Sequence, residues 1–145
     1  MEIKEWLKRG YEINKKIDLL LEEQAVAKAQ AMSCTSIVKD TPSSSTKGNT
    51  QENKLVTYLD LDKKINNKTD ELLLVKEEIL AAINLLDNQK FKVLLENRHI
   101  NLMTWKGISQ FDELKEHNES YIQRGLYNSA VKAIKTIYSI FKNNT

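Results

Sequence analysis

Apolar side chains recur along residues 2–35 at alternating spacings of three and four: Ile3, Trp6, Gly10, Ile13, Ile17, Leu20, Gln24, Ala27, Ala31 and Cys34. Such a heptad seam predicts one long helix packed lengthwise against another at a shallow angle. Alanines replace large side chains after Leu21, so the far end of the seam is thin. A second seam runs through Tyr58, Leu61, Ile65, Lys68, Leu72, Val75, Ile79, Ala82 and Leu86, and only Lys68 interrupts it. The segment between the seams, KDTPSSSTKGNTQEN over 39–53, has no apolar residue and holds the only proline. It predicts a flexible linker at about 38–53. At 1.5 Å per residue each arm spans roughly 50 Å. Matched arms on a short connection predict an antiparallel, coiled-coil-like helical hairpin over 1–87.

Past Leu86 the pattern shortens. Asp87 is placed to cap a helix reaching about Ile100, with Phe91, Leu94, Leu95 and Arg98 along it, and Asn101 ends it. Thr104 is placed to cap a short helix over 105–111, and polar residues 112–118 read as a turn. Asn118 or Ser120 then opens a last helix to about Phe141, with Ile122, Leu126, Ala130, Ala133, Ile137 and Phe141 on its apolar side. Residues 88–145 thus predict a three-helix unit in helix-turn-helix outline. The fold class is all-α. Leu19, Leu21, Leu73, Leu74 and Leu80 lie off the narrow seams and need cover. Either the C-terminal helices supply it, or the hairpin pairs with a second copy in a homodimeric four-helix arrangement.

Composition agrees with helices, since 145 residues include four glycines and one proline. No apolar run reaches the roughly 18 residues of a membrane span, and the charged N-terminus is unlike a signal sequence. The single cysteine, Cys34, has no internal disulfide partner. These features point to a soluble, reduced, cytoplasmic protein with no membrane partner. The net charge of +2 hides an asymmetry. Residues 1–87 carry 13 basic and 15 acidic side chains, and 88–145 carry nine and five. Residues 120–145 hold Arg124, Lys132, Lys135 and Lys142 and no acid, a hint of a polyanionic partner.

Candidate chemistry of other kinds is sparse. His99 and His117 sit far apart at polar positions and read as surface residues, without metal-ligand spacing. Cys34 on an alanine-rich stretch reads as a packed side chain, and Glu22–Glu23 and Glu77–Glu78 as solvated charges. No glycine-rich phosphate loop exists. An enzyme, a metal site and a cofactor are not expected. Trp6 on its seam reads as core and Trp105 as the centre of the small unit. Tyr127 either contacts nucleic acid or closes the edge of the core.

The functional expectation rests on the outward face of the last helix: Ser120, Gln123, Arg124, Tyr127, Asn128, Val131, Lys132 and Lys135. Arg, Gln and Asn can make paired hydrogen bonds to base edges in the major groove. Lysines further along suit phosphates. On this reading Gln123, Arg124 and Asn128 read bases, and Lys132 and Lys135 meet the backbone of duplex DNA.

Nearly the whole chain resembles the ArpU-type late transcription regulators of phages and prophages. The matching stretches are KEWLKRGYEINKKID at 4–18, the polar linker around Pro42, LDLDKKINNKTDELLLVKEEILAAI at 59–83, and LLENRHINLMTWKGIS at 94–109, followed by Leu126, Ala130, Val131 and Ile134. The resemblance implies a helix-turn-helix similar to region four of bacterial sigma factors. It implies a transcriptional regulator of a host bacterial cell, with Thr104 and Lys106 anchoring the first motif helix and the host RNA polymerase as a further partner. Gly107 stands where the family usually has glutamate, Gln123 where it has valine, and the interval from Ile108 to the last helix is longer than usual. A competing reading is a protein–protein module that works through the hairpin, with a degenerate C-terminal unit that does not bind DNA.

Overall fold

The computed structural model of the chain describes residues 2–37 and 45–144, with side chains for all of these except 33–37, 45–51, 141 and 144. Every regular element among the described residues is helical, so the protein is all-α. In order these are α1 (Ile3–Leu7), α2 (Arg9–Ile37), α3 (Ser45–Ile83), α4 (Gln89–His99), α5 (Trp105–Ile108), α6 (Glu119–Tyr121), a π-helical turn (Ile122–Leu126) and α7 (Tyr127–Asn144). The chain forms two compact units. One joins Met1–Glu12 to Leu72–Thr145, and the other is Ile13–Glu71. The division therefore does not fall at Asp87, because the N-terminal residues and the end of α3 pack with the C-terminal helices.

Within Ile13–Glu71 the seam positions face inward. Ile13, Ile17, Ala27 and Leu61 are buried, and Leu20, Gln24, Tyr58, Ile65 and Lys68 are half-buried. Residues 16–23 of α2 share a groove with 64–71 of α3, and 23–30 share the next with 57–64, so the two stretches run antiparallel. Gln24 Nε2 donates to Asp62 Oδ1 at 3.3 Å in the same register. Helix α3 begins at Ser45, so residues 45–53, expected in the linker, are helical. Gly48 is the one strong helix breaker there, and it weakens a long helix by only about 1 kcal/mol. The rest of the expected linker, with Pro42, and the side chains of Cys34 and Phe141 lie outside the described residues.

The other unit is a helical cluster around one apolar core. Ile3, Trp6 and Leu7 of α1 pack with Ile79, Ala82 and Ile83 of α3, Leu94 and Leu95 of α4, Ile108 of α5, and Ala130 and Ile134 of α7. Trp6 is core, as its seam position predicts: its ring lies 5.1 Å from that of Tyr138 and its Nε1 donates to Glu78 Oε1 at 3.3 Å. Helical geometry relaxes at Lys8, where ψ is −4°, so the expected single N-terminal helix becomes α1 and α2.

The caps place the remaining elements. Asn88, not Asp87, caps α4, its side chain accepting from the Lys90 and Phe91 N–H groups. Thr104 caps α5 by accepting from Gly107 N–H at 3.2 Å. That helix ends at Ile108, and the following turn is pinned by Leu114, which is fully buried within the stretch expected to be polar. Asn118 rather than Ser120 opens α6, accepting from Tyr121 N–H at 2.7 Å.

A π-helical turn follows, in which the Tyr127 N–H reaches back to the Ile122 carbonyl, five residues earlier. Such a turn takes up about one extra residue and rotates everything after it. The buried face of α7 therefore includes Tyr127 and Val131, which regular α-helical spacing had turned outward. A Cβ at Gly125, in this turn, would stand 2.9 Å from Cε2 of the Tyr121 ring, so a side chain there requires that half-exposed ring to move. Among the described residues no helix is long and apolar enough to cross a membrane.

Candidate functional site

Four segments of the N- and C-terminal unit converge on one open cleft of about 530 Å³. Lys4, Lys8 and Tyr11, spaced by four and three, project from one face of α1 and the start of α2. The last turn of α4 brings Arg98 and His99. Leu102, in the left-handed region at φ 55°, turns the chain toward α5, and Trp105 follows. The π-helical turn and the start of α7 bring Gln123, Arg124, Tyr127 and Asn128.

The floor of the cleft is aromatic and tightly bonded. Tyr127 is buried; its hydroxyl lies 3.0 Å from His99 Nε2, and its ring meets that of Trp105 nearly edge-on at 5.2 Å. Burial pushes the Tyr127 hydroxyl pKa up. His99 is only 4% exposed. Desolvation first, and the nearby Arg98 and Lys8 charges next, lower its pKa to about 4. The expectation of a surface His99 is thus corrected, because the end of α4 packs against the start of α7, where the His99 ring meets that of Tyr127. Tyr127 closes the edge of the core instead of facing outward, for the π-turn reason given above.

The rim is cationic. Lys4, Lys8, Arg98 and Arg124 line it against one acid, Glu12. None of the four is ion-paired with another described residue, whereas Arg9, Lys90 and Lys115 pair with Glu78, Glu116 and Asp112. The Arg98 guanidinium stacks 4.4 Å above the Trp105 ring and donates to the Met103 carbonyl at 2.9 Å. Stacking holds its position without neutralising it. Lys4 Nζ reaches Asn128 Oδ1 at 3.5 Å. Exposed amides of Gln123 and Asn128 thus stand among uncompensated positive charges, an arrangement suited to phosphates and base edges.

Of the residues expected from sequence to bind DNA, the structure brings Gln123, Arg124, Tyr127 and Asn128 together in this cleft. Ser120, Thr104 and Lys106 are exposed outside it, Thr104 serving as the α5 cap. Lys132 and Lys135 are exposed further along α7 and do not line it. Sequence reasoning does not mark Lys4, Lys8, Arg98 and Trp105 as site residues: it assigns the N-terminus to a hairpin arm, Arg98 to the length of a helix and Trp105 to the centre of the small unit. The spacing of Lys4, Lys8 and Tyr11 off the apolar seam was the available signal. Among the described residues no group of His, Cys, Asp or Glu is arranged to hold a metal ion. The chain matches no family model, no curated protein and no solved structure.

Proposed function

We propose that the protein is a phage-type transcriptional regulator that binds duplex DNA through a helix-turn-helix-like C-terminal unit. The observation that carries this reading is the cleft rim of Lys4, Lys8, Arg98 and Arg124, four cations with no ion-pair partner among the described residues. Gln123, Arg124 and Asn128 are the base-reading candidates, and Lys132 and Lys135 extend phosphate contact along α7. Tyr127 supports the floor. The regulatory role, and contact with the host RNA polymerase, come from the resemblance to ArpU-type regulators. Binding of a duplex measured at two salt concentrations tests the reading: affinity falls steeply with salt and is lost in Arg124→Ala/Lys132→Ala. No binding by the folded protein at low salt overturns it.

One observation favours the second reading, a protein–protein module. Within Ile13–Glu71, Leu19, Val26, Leu55 and Leu59 are each at least half exposed.

A further inference from the structure

The Ile13–Glu71 unit is a two-helix layer, and such a layer buries one seam while leaving its faces open. On one face a groove of about 510 Å³ runs between the helices, and a second continues it. Along the α2 wall stand Lys16, Leu19, Glu23 and Val26, spaced three, four and three, which is itself a heptad seam. Leu19 is 53% and Val26 57% exposed.

The opposite wall carries complementary charge. Glu71 stands level with Lys16, and Lys64 level with Glu23, in the antiparallel register; Lys68 lies on the same wall and pairs with Glu71 at 2.9 Å. We propose that a second copy of this chain covers the groove, related by a twofold axis running along it between the helices. That axis lays α2 of one copy over α3 of the other. Glu23 then meets the other copy's lysine at position 64, Lys16 meets its glutamate at 71, and symmetry repeats both pairs. An axis across the helices at the middle of the groove instead stacks α2 on α2 and sets Glu23 over the other copy's lysine at position 16, a pairing that Lys64→Glu does not restore. The product is an antiparallel four-helix bundle with Leu19 and Val26 inside it.

This inference stands apart from DNA binding. Sedimentation of the full chain across a concentration series tests it, with helix content followed by circular dichroism. Wild-type protein sediments at twice the chain mass. Leu19→Glu/Val26→Glu halves that mass with helix content unchanged, since both side chains are exposed in the single chain. Leu59→Glu, outside the groove, leaves the mass doubled. Glu23→Lys weakens association roughly tenfold or more, and adding Lys64→Glu restores it. A single-chain mass at every concentration overturns the inference, and so does dissociation by Leu59→Glu but not by the groove variant.

Discussion

The imidazole of His99 and the hydroxyl of Tyr127 meet at 3.0 Å beneath the cationic cleft, joining the last turn of α4 to the first turn of α7. With the ring neutral and its proton on Nδ1, Nε2 accepts from the Tyr127 O–H. Removing the hydroxyl leaves a buried ring nitrogen without a partner. Tyr127→Phe therefore destabilises the fold by about 1–3 kcal/mol, measured by chemical denaturation.

The same buried ring gives a pH dependence of definite sign. The folded-state pKa of His99 is about 4, below its ordinary 6.5. Between those values the unfolded chain binds a proton that the folded protein refuses. Stability contributed by the neutral ring is complete above pH 6.5 and drains away as pH falls toward 4, by at most about 3 kcal/mol. Glu116, whose pKa is lowered by its hydrogen bond and charge contact with Lys90, acts in the same direction at more acid pH. In His99→Gln the slope of unfolding free energy between pH 6.5 and 4 is shallower than in the wild type. An unchanged slope would show that the ring is not held neutral.

Much of this architecture is legible in the sequence. The two three-and-four seams give both long helices, and their described positions are buried or half-buried, from Ile3 and Trp6 to Leu61 and Leu72. Thr104 and the start of α5 follow from capping rules. What the periodicity could not convey is which partners the seams face. Ile3, Trp6 and Leu7 pack with α7 and the end of α3, so Lys4 and Lys8 land beside Arg124. A single π-turn around Gly125, invisible to a count by threes and fours, rotates Tyr127 and Val131 inward.

Arg98 contributes through its guanidinium lying 4.4 Å over the Trp105 ring as well as through its charge. Arg98→Lys keeps the charge and loses the stacking geometry and the bond to Met103. Stability falls by about 1 kcal/mol. DNA affinity falls more in Arg98→Ala than in Arg98→Lys, as read by titration at fixed salt.

Asn118 ties down the start of the helix that presents Gln123 and Arg124. Asn118→Ala removes the acceptor for the Tyr121 N–H and reduces stability by about 1 kcal/mol. Asn118→Ser, which retains a capping oxygen, largely preserves it.

Gly10 is buried, yet a Cβ there would stand 3.4 Å from the His99 carbonyl, an ordinary contact. Alanine fits and favours the helix. Gly10→Ala raises stability by about 0.5–1 kcal/mol, seen as a higher thermal midpoint.

The most direct test of the cleft as a DNA site is the salt dependence of duplex binding in Lys4→Ala/Lys8→Ala, compared with wild type. Both lysines are exposed, so the fold survives their loss. The slope of log affinity against log salt falls by about 1 for each lysine that meets a phosphate. A decrease of about 2 in the double variant is the predicted result. An unchanged slope and affinity, with wild-type protein binding the same duplex, would contradict the account.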